Sequence, residues 1–133
     1  MQAAATGDEA GVTNFIEAGG NVNDANSAGN TALMEAAQNG HSIVCRLLLR
    51  HGADVNSIGE GGCTSLMKAA SKGHIKIARL LLEHGADTTK RDHYGWTAQH
   101  MAKQNGYTDI ATLISRWTPQ VCFHIVVSIS LRI

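Results

Sequence analysis

The chain has 133 residues, of which 44% are hydrophobic and 17% are charged, a composition that fits one folded domain and excludes disorder along its whole length. Only 5% of the residues are aromatic, so the core must be built from Ala, Leu, Ile and Val. The formal net charge is zero, yet residues 1–60 hold seven acidic and two basic side chains, while residues 61–133 hold four acidic and nine basic ones. A fold that lays the sequence out linearly turns this gradient into an acidic end and a basic end.

The cysteines and the apolar stretches favour an intracellular protein. Cys45, Cys63 and Cys122 are too few and too scattered for a disulfide framework, which predicts a reducing compartment. The start of the chain lacks the basic and apolar regions of a signal peptide. The longest apolar stretch, Val121 to Ile133, is shorter than the roughly 20 residues that cross a bilayer. We therefore expect a protein of the cytoplasm, with the nucleus as the alternative.

Glycine, threonine and leucine positions recur along the chain at one fixed interval, the distance from Gly7 to Gly40. A period of this length predicts stacked repeat units, because each unit can bury its apolar faces only against its copies. The series are Gly7, Gly40, Gly73 and Gly106; Gly19, Gly52 and Gly85; Thr31, Thr64 and Thr97; and Leu48, Leu81 and Ile114.

Residues 1–23 are predicted to form a half unit. Its first helix has only a few residues, and Gly11 and Asn14 stand where the next unit has Val44 and Leu47. A stacked interior would need bulk at these positions. The half unit is therefore predicted to cap the stack at a solvent-facing end.

The unit at residues 24–56 shows the pattern that the others follow. Thr31 is a good N-cap for a helix predicted over Ala32–Asn39, and Gly40 ends that helix. A second helix, predicted over Ser42–His51, carries apolar residues at the spacing of a buried stripe. A loop rich in Gly, Asn and Asp follows. Each unit is thus predicted to be a helix, a turn, a helix and a hairpin-like loop.

Two segments resemble the ankyrin repeat: Gly-Asn-Thr-Ala-Leu-Met-Glu-Ala-Ala-Gln-Asn-Gly-His (29–41) and Leu-Leu-Leu-Arg-His-Gly-Ala-Asp-Val-Asn (47–56), with counterparts at 62–74 and 80–89. The resemblance covers roughly residues 3–117. It implies an all-α solenoid of stacked helix-turn-helix units: a half repeat (1–23) and three full repeats (about 24–56, 57–89 and 90–117).

The family motif Thr-Pro-Leu-His is altered in every full repeat. It reads Thr-Ala-Leu-Met (31–34), Thr-Ser-Leu-Met (64–67) and Thr-Ala-Gln-His (97–100), so only His100 keeps the imidazole. We therefore expect the hydrogen bond between Thr and His to be lost in the first two full repeats.

The resemblance implies a protein-protein interaction module whose concave face consists of loop tips and the exposed face of the first helices. Tyr94 and Trp96 flank Gly95 at a loop tip where no core requires two rings, and such residues are common interface anchors. We expect them, with Lys72, to form the centre, and the acidic first repeat to contact a basic region of the partner. Alternatively, Trp96 only covers a neighbouring helix. The predicted partner-binding residues are Asn30, Glu35, Gln38, Asn39, Glu60, Lys68, Ser71, Lys72, His93, Tyr94, Trp96, Met101, Gln104 and Asn105.

Other chemistry is not predicted. His41 and His51, like His74 and His84, are ten residues apart, about 15 Å along a helix, so they are predicted to be structural rather than metal ligands. No nucleotide-binding, zinc-protease or nucleophile-elbow motif occurs, and no aromatic residue is interleaved with the lysines as in a nucleic-acid platform. We expect a monomeric, non-enzymatic protein without cofactor or metal.

The two cysteines within the repeats are expected to differ. Cys45 aligns with Ala78 and Ala111 and is predicted to be an inert core thiol. Cys63 aligns with Trp96 near a loop tip and is expected to be exposed.

Two alternative functions remain open. Residues Leu48 to Asn56 resemble sites at which ankyrin asparagines are hydroxylated by a cellular oxygenase, which makes Asn56, and more weakly Asn23, candidate substrates. The short first unit also fits a regulatory fragment of a longer protein or enzyme.

The segment Thr118 to Ile133 leaves the repeat pattern. Pro119 prevents simple continuation of the last helix, and the residues after it are apolar and β-prone. The segment either folds back on Trp117, docks into a partner or is an end foreign to the family. Trp117 itself is predicted to lie over the end of the stack.

Overall fold

The computed structural model describes residues 1–117, and the predictions for Thr118 to Ile133 lie outside this range. The described residues form eight α-helices and no named β-strand, as the all-α prediction requires. In chain order these are α1 (Gln2–Thr6), α2 (Glu9–Glu17), α3 (Ala32–Gln38), α4 (Ser42–Arg50), α5 (Ser65–Lys72), α6 (Ile75–Glu83), α7 (Ala98–Gln104) and α8 (Thr108–Arg116). The two helices predicted in the first full repeat are present, and each ends one residue earlier than predicted.

The helices pack in two layers. Each odd-numbered helix contacts the next odd-numbered one, each even-numbered helix contacts the next even-numbered one, and the two helices of a pair contact each other. The pairs therefore stack in chain order, as in a solenoid. No helix within residues 1–117 has the length and apolar character needed to span a bilayer.

Threonine caps begin the first helix of each full repeat, as predicted. The Oγ1 of Thr31 and of Thr64 accepts a hydrogen bond from the backbone N–H three residues later, at 3.4 and 3.3 Å. The backbone N–H of each threonine faces the sulfur of Met34 or Met67 at 3.5 Å. Thioether sulfur is a weak acceptor, so methionine only partly replaces the imidazole of the family motif.

Aromatic rings lie over the glycines that follow α1, α3 and α5. Gly40 has φ +81°, and a Cβ there would lie 2.8 Å from the ring of His74 in the next repeat. His74 Nε2 donates to the carbonyl oxygen of Gln38 at 3.1 Å, which assigns the ring proton to Nε2. His41 makes the same contacts with Gly7 and with the carbonyl of Ala5. The structural role predicted for these histidines is confirmed.

The core consists mainly of aliphatic side chains and alanines, as the low aromatic content predicted, and it also contains Met34 and Met67. Leu33, Leu66 and Leu81 are fully buried, and buried alanine pairs such as Ala69 and Ala70 let neighbouring helices approach closely. Cys45 is buried among them, which confirms its predicted place in the core, and this burial raises the pKa of its thiol to about 12.

The two ends of the described stack differ in packing. A cavity of about 230 Å³ lies in the half repeat, between α1, α2 and the following loop, and Phe15 at its wall is exposed. At the other end, Trp117 is half-buried and packs against the core.

Candidate functional site

The loop at residues 92–96, here called the Asp92 loop, holds its own shape. Asp92 Oδ1 accepts hydrogen bonds from the backbone N–H of Tyr94 and of Trp96, each at 2.9 Å. The Asp92 N–H donates to the Trp96 carbonyl at 2.9 Å, and Arg91 Nη1 donates to the carbonyl of Gly95 at 2.8 Å. Gly95 has φ +82°, a conformation that glycine adopts without strain. Two aromatic residues are thus carried on a short, internally bonded turn.

Backbone hydrogen bonds link this loop to its neighbour. The His93 N–H donates to the carbonyl of Gly61 at 2.9 Å. Gly62 follows with φ +78°, and a Cβ there would lie 2.5 Å from Cδ2 of the His93 ring. The loop tips of the second and third full repeats therefore form one connected edge.

A groove lies below the Asp92 loop, between α5 and α7, and is here called the third-repeat groove. Its volume is about 660 Å³, and its lining residues are Cys63, Ser71, Asp92, Tyr94, Trp96, Met101 and Asn105. Tyr94 is 85% exposed and Trp96 is 42% exposed. The Trp96 ring stands edge-on to the ring of His100, with centroids 4.6 Å apart. Trp96 therefore rests on the helix of its own repeat and still presents part of its ring to the groove.

The polar atoms at the base of the groove are already engaged. Asn105 Nδ2 donates to the carbonyl of Ser71 at 3.1 Å, and Ser71 Oγ donates to the carbonyl of Lys68 at 3.0 Å. The Asp92 oxygen described above accepts two amides. The rings and Met101 therefore supply the surface that is free to contact an apolar group.

The predicted partner-binding residues divide into two groups. Five of them line the groove: Ser71, Tyr94, Trp96, Met101 and Asn105. The others, except Asn30, are exposed or half-buried outside its lining: Glu35, Gln38, Asn39, Glu60, Lys68, Lys72, His93 and Gln104. Lys72, predicted to be central, ends α5 and is exposed.

Three expectations about exposure are wrong. Asn30 is only 4% exposed, because its Nδ2 donates to Glu35 and its Oδ1 accepts the N–H of Glu60. Met101 is 8% exposed and contributes only to the base of the groove. Cys63 is half-buried, and burial is the main cause that raises the pKa of its thiol, against an opposing effect of Lys68.

Asn23 and Asn56 connect successive loops. Asn56 Nδ2 donates to the carbonyl of Gly85 at 3.2 Å, and its Oδ1 accepts the N–H of Asp87 at 2.7 Å. Asn23 makes the equivalent bonds to Gly52 and Asp54 at 3.1 and 2.7 Å. Hydroxylation of either asparagine stays a prediction.

Sequence reasoning missed Asp92, which shapes the loop and lines the groove. The signal in the sequence is the segment Asp-His-Tyr-Gly-Trp, which has the pattern of an Asx turn. The aspartate stands two residues before one amide whose hydrogen bond it accepts and four residues before the other. Within residues 1–117 no group of three His, Cys, Asp or Glu side chains is placed to hold a metal ion.

Comparison with known families agrees with this architecture. A family model described as ankyrin repeats (3 copies) matches residues 1–92 and, in a second match, residues 62–121. The chain therefore belongs to the ankyrin repeat family, whose members are generally protein-protein interaction modules and typically not enzymes. No curated protein matches the chain.

Proposed function

We propose that the chain binds a protein partner through the third-repeat groove, with Tyr94 and Trp96 as anchors. One observation carries this proposal: two partly or largely exposed rings stand on an internally bonded loop beside a groove of about 660 Å³. Tyr and Trp supply most of the binding energy at many protein interfaces. Because the loop is already ordered, a partner that covers the rings loses little conformational entropy on their side.

Charges beside the groove would orient the partner. Lys72 is exposed at the end of α5, and Lys68 donates to Gln38 at 3.3 Å on the neighbouring helix. Glu60 is exposed on the preceding loop. We expect carboxylates of the partner near the two lysines and a basic region near the acidic first repeat, which would affect the rate and specificity of association more than its strength.

The test is affinity capture from cells with the wild-type chain, the Tyr94→Ala/Trp96→Ala variant and the Ile43→Ala variant. Ile43 is a matched control because it is 61% exposed and lies on α4, outside the groove. A partner captured by wild type and by Ile43→Ala should bind the double variant at least about 2 kcal/mol more weakly. Equal affinity, with an unchanged circular dichroism spectrum, would reject the proposal.

A further inference from the structure

A small pocket lies on the opposite layer of the stack, between α4 and α6, and is here called the back pocket. Its volume is about 190 Å³, and its lining residues are Ser42, Arg46, Lys76, Arg79, Leu80 and Glu83. The third-repeat groove is lined from α5, α7 and their loops, so the two sites share no helix. The function proposed above uses none of the back-pocket residues.

Three cationic side chains from two helices surround the back pocket. Arg46, Lys76 and Arg79 are exposed, and no carboxylate among residues 1–117 forms an ion pair with them. Glu83 adds one negative charge to the lining, which leaves a formal net charge of +2. A concave site of net positive charge attracts small anions, because its walls concentrate the electrostatic potential.

The repeat register brings these cations together at one place. Arg46 and Arg79 are one repeat period apart, so they occupy equivalent positions of α4 and α6, whereas α8 has Thr112 there. Lys76 stands where α4 has Ile43. Among the described helix pairs, the cluster of three therefore arises between α4 and α6.

A phosphoryl group fits both the charge and the size of the back pocket. A phosphomonoester carries a charge of about −1.5 to −2 at neutral pH and has three acceptor oxygens. Guanidinium groups donate paired N–H bonds to such oxygens, and the Ser42 hydroxyl offers a further donor. A pocket of about 190 Å³ is smaller than the roughly 300 Å³ at which sites for whole small molecules begin.

We propose that the back pocket binds the phosphoryl group of a phosphorylated serine or threonine in a protein segment. The surrounding charges favour a phosphorylated side chain over a lipid headgroup as the source of the phosphoryl group. The two neighbouring helices carry acidic residues: α2 has Glu9 and Glu17 and no basic residue, and α8 has Asp109 together with Arg116. An anionic bilayer covers a wide surface and would face these carboxylates, whereas a phosphorylated side chain contacts only the pocket.

The experiment is an NMR titration of the full chain with the peptide acetyl-Gly-Ala-phosphoserine-Ala-Gly-amide, and with the same peptide unphosphorylated. We expect saturable shifts of the guanidinium signals of Arg46 and Arg79 with the phosphopeptide only. Arg79→Gln should weaken binding about tenfold or more. Arg50→Gln is the matched control, because this exposed cation of α4 lies outside the pocket, and it should change affinity by less than about twofold.

The pH dependence provides a second readout. Binding should weaken as the pH falls through about 6, where the phosphomonoester takes up a proton and loses charge. Lys76→Gln, another exposed pocket residue, replaces Arg79→Gln if that variant changes the circular dichroism spectrum.

Three results would overturn the proposal. Equal shifts with both peptides would show that phosphate is not recognised, and an equal loss in Arg50→Gln would show only general attraction. The third is Arg79-dependent binding to phosphatidylcholine vesicles containing phosphatidylinositol phosphate, without arginine shifts in the phosphopeptide titration. None of these three results depends on residues of the third-repeat groove, so they do not test the proposed partner site.

Discussion

The Asp92 loop and the loop one period before it, residues 59–63, occupy the same place in their repeats but are held differently. In the Asp92 loop a carboxylate of the loop itself accepts two of its amides. The earlier loop, here called the Gly59 loop, has glycine at the position of Asp92. Its bonds to other loops are made by the Glu60 N–H, which donates to Asn30 Oδ1, and by the Gly61 carbonyl, which accepts the His93 N–H.

The difference shows which loop can carry a binding residue. A Cβ at Gly59 would lie 2.5 Å from Asn30 Oδ1 and 2.5 Å from the sulfur of Met34, so any side chain there would displace Asn30 and Met34. The Gly59 loop closes its turn with backbone bonds, such as the Gly59 N–H to the Cys63 carbonyl at 2.8 Å, and takes its side-chain acceptor from Asn30 of the preceding repeat. The Asp92 loop supplies its own side-chain acceptor, so Tyr94, whose side chain makes none of these bonds, can vary without loss of the turn.

The largest expected effect on stability comes from adding one methyl group to a glycine, and it should differ between the two loops. Gly62→Ala places a Cβ 2.5 Å from the His93 ring and 3.0 Å from its backbone nitrogen, at φ +78°. Strain and overpacking together should lower the free energy of unfolding by about 3 kcal/mol. Gly95→Ala, at φ +82° with no atom within 4 Å, incurs only the backbone cost, about 1 kcal/mol. Urea denaturation followed by circular dichroism measures both, and equal losses would contradict the distinction.

Removing the Asp92 carboxylate, which accepts two amides of its own loop, should have an intermediate effect on stability. Asp92→Ala leaves two amides without their acceptor and should cost about 1–2 kcal/mol of stability. Asp92→Asn should cost little, because Asn26 fills the same position in the first full repeat and accepts the amides of Ala28 and Asn30, each at 3.0 Å. Hydrogen exchange at the Tyr94 and Trp96 amides should accelerate in the alanine variant only. Acceleration in both variants would mean that the turn needs the negative charge itself.

The sequence predicted the architecture because the period and the helix caps are local signals. The sequence predicted the exposure of loop residues poorly, as a comparison of equivalent positions in successive repeats shows. Asn30, Cys63 and Trp96 occupy the same position in successive repeats, yet the first is buried, the second half-buried and the third partly exposed. The cause is the next loop along the stack: the Gly59 loop covers Asn30, whereas no described loop follows Trp96. Burial at this position depends on a neighbour in the following repeat, which local pattern does not reveal.

A smaller effect, and in this case a gain in stability, is expected at Ser65, where the Gly59 loop meets α5. The Ser65 hydroxyl is buried and has no hydrogen-bond partner among residues 1–117, whereas the residue that follows the Asp92 loop at this position is Ala98. Ser65→Ala removes a polar group that gains nothing from burial and should raise the free energy of unfolding by about 1 kcal/mol. Thr64→Ala is the contrasting variant, because it removes an N-cap and should cost about 1 kcal/mol. A destabilised Ser65→Ala protein would indicate a partner for the hydroxyl.

The smallest effect is expected at Cys63. This residue lines the third-repeat groove together with Trp96 and occupies the equivalent position one repeat earlier. Because burial raises the pKa of the Cys63 thiol above its ordinary value of 9.0, less of it is thiolate at a given pH, and iodoacetamide should react more slowly than with a free cysteine. The rate should keep rising as the pH increases beyond 9.0. Trp96→Ala opens the groove, lowers the pKa toward the ordinary value and should raise the rate severalfold. Mass spectrometry in a Cys122→Ser background measures the rate, with buried Cys45 as the unreactive internal control. An unchanged rate in Trp96→Ala would show that the Gly59 loop alone shields the thiol, and that the Asp92 loop does not share in closing the groove.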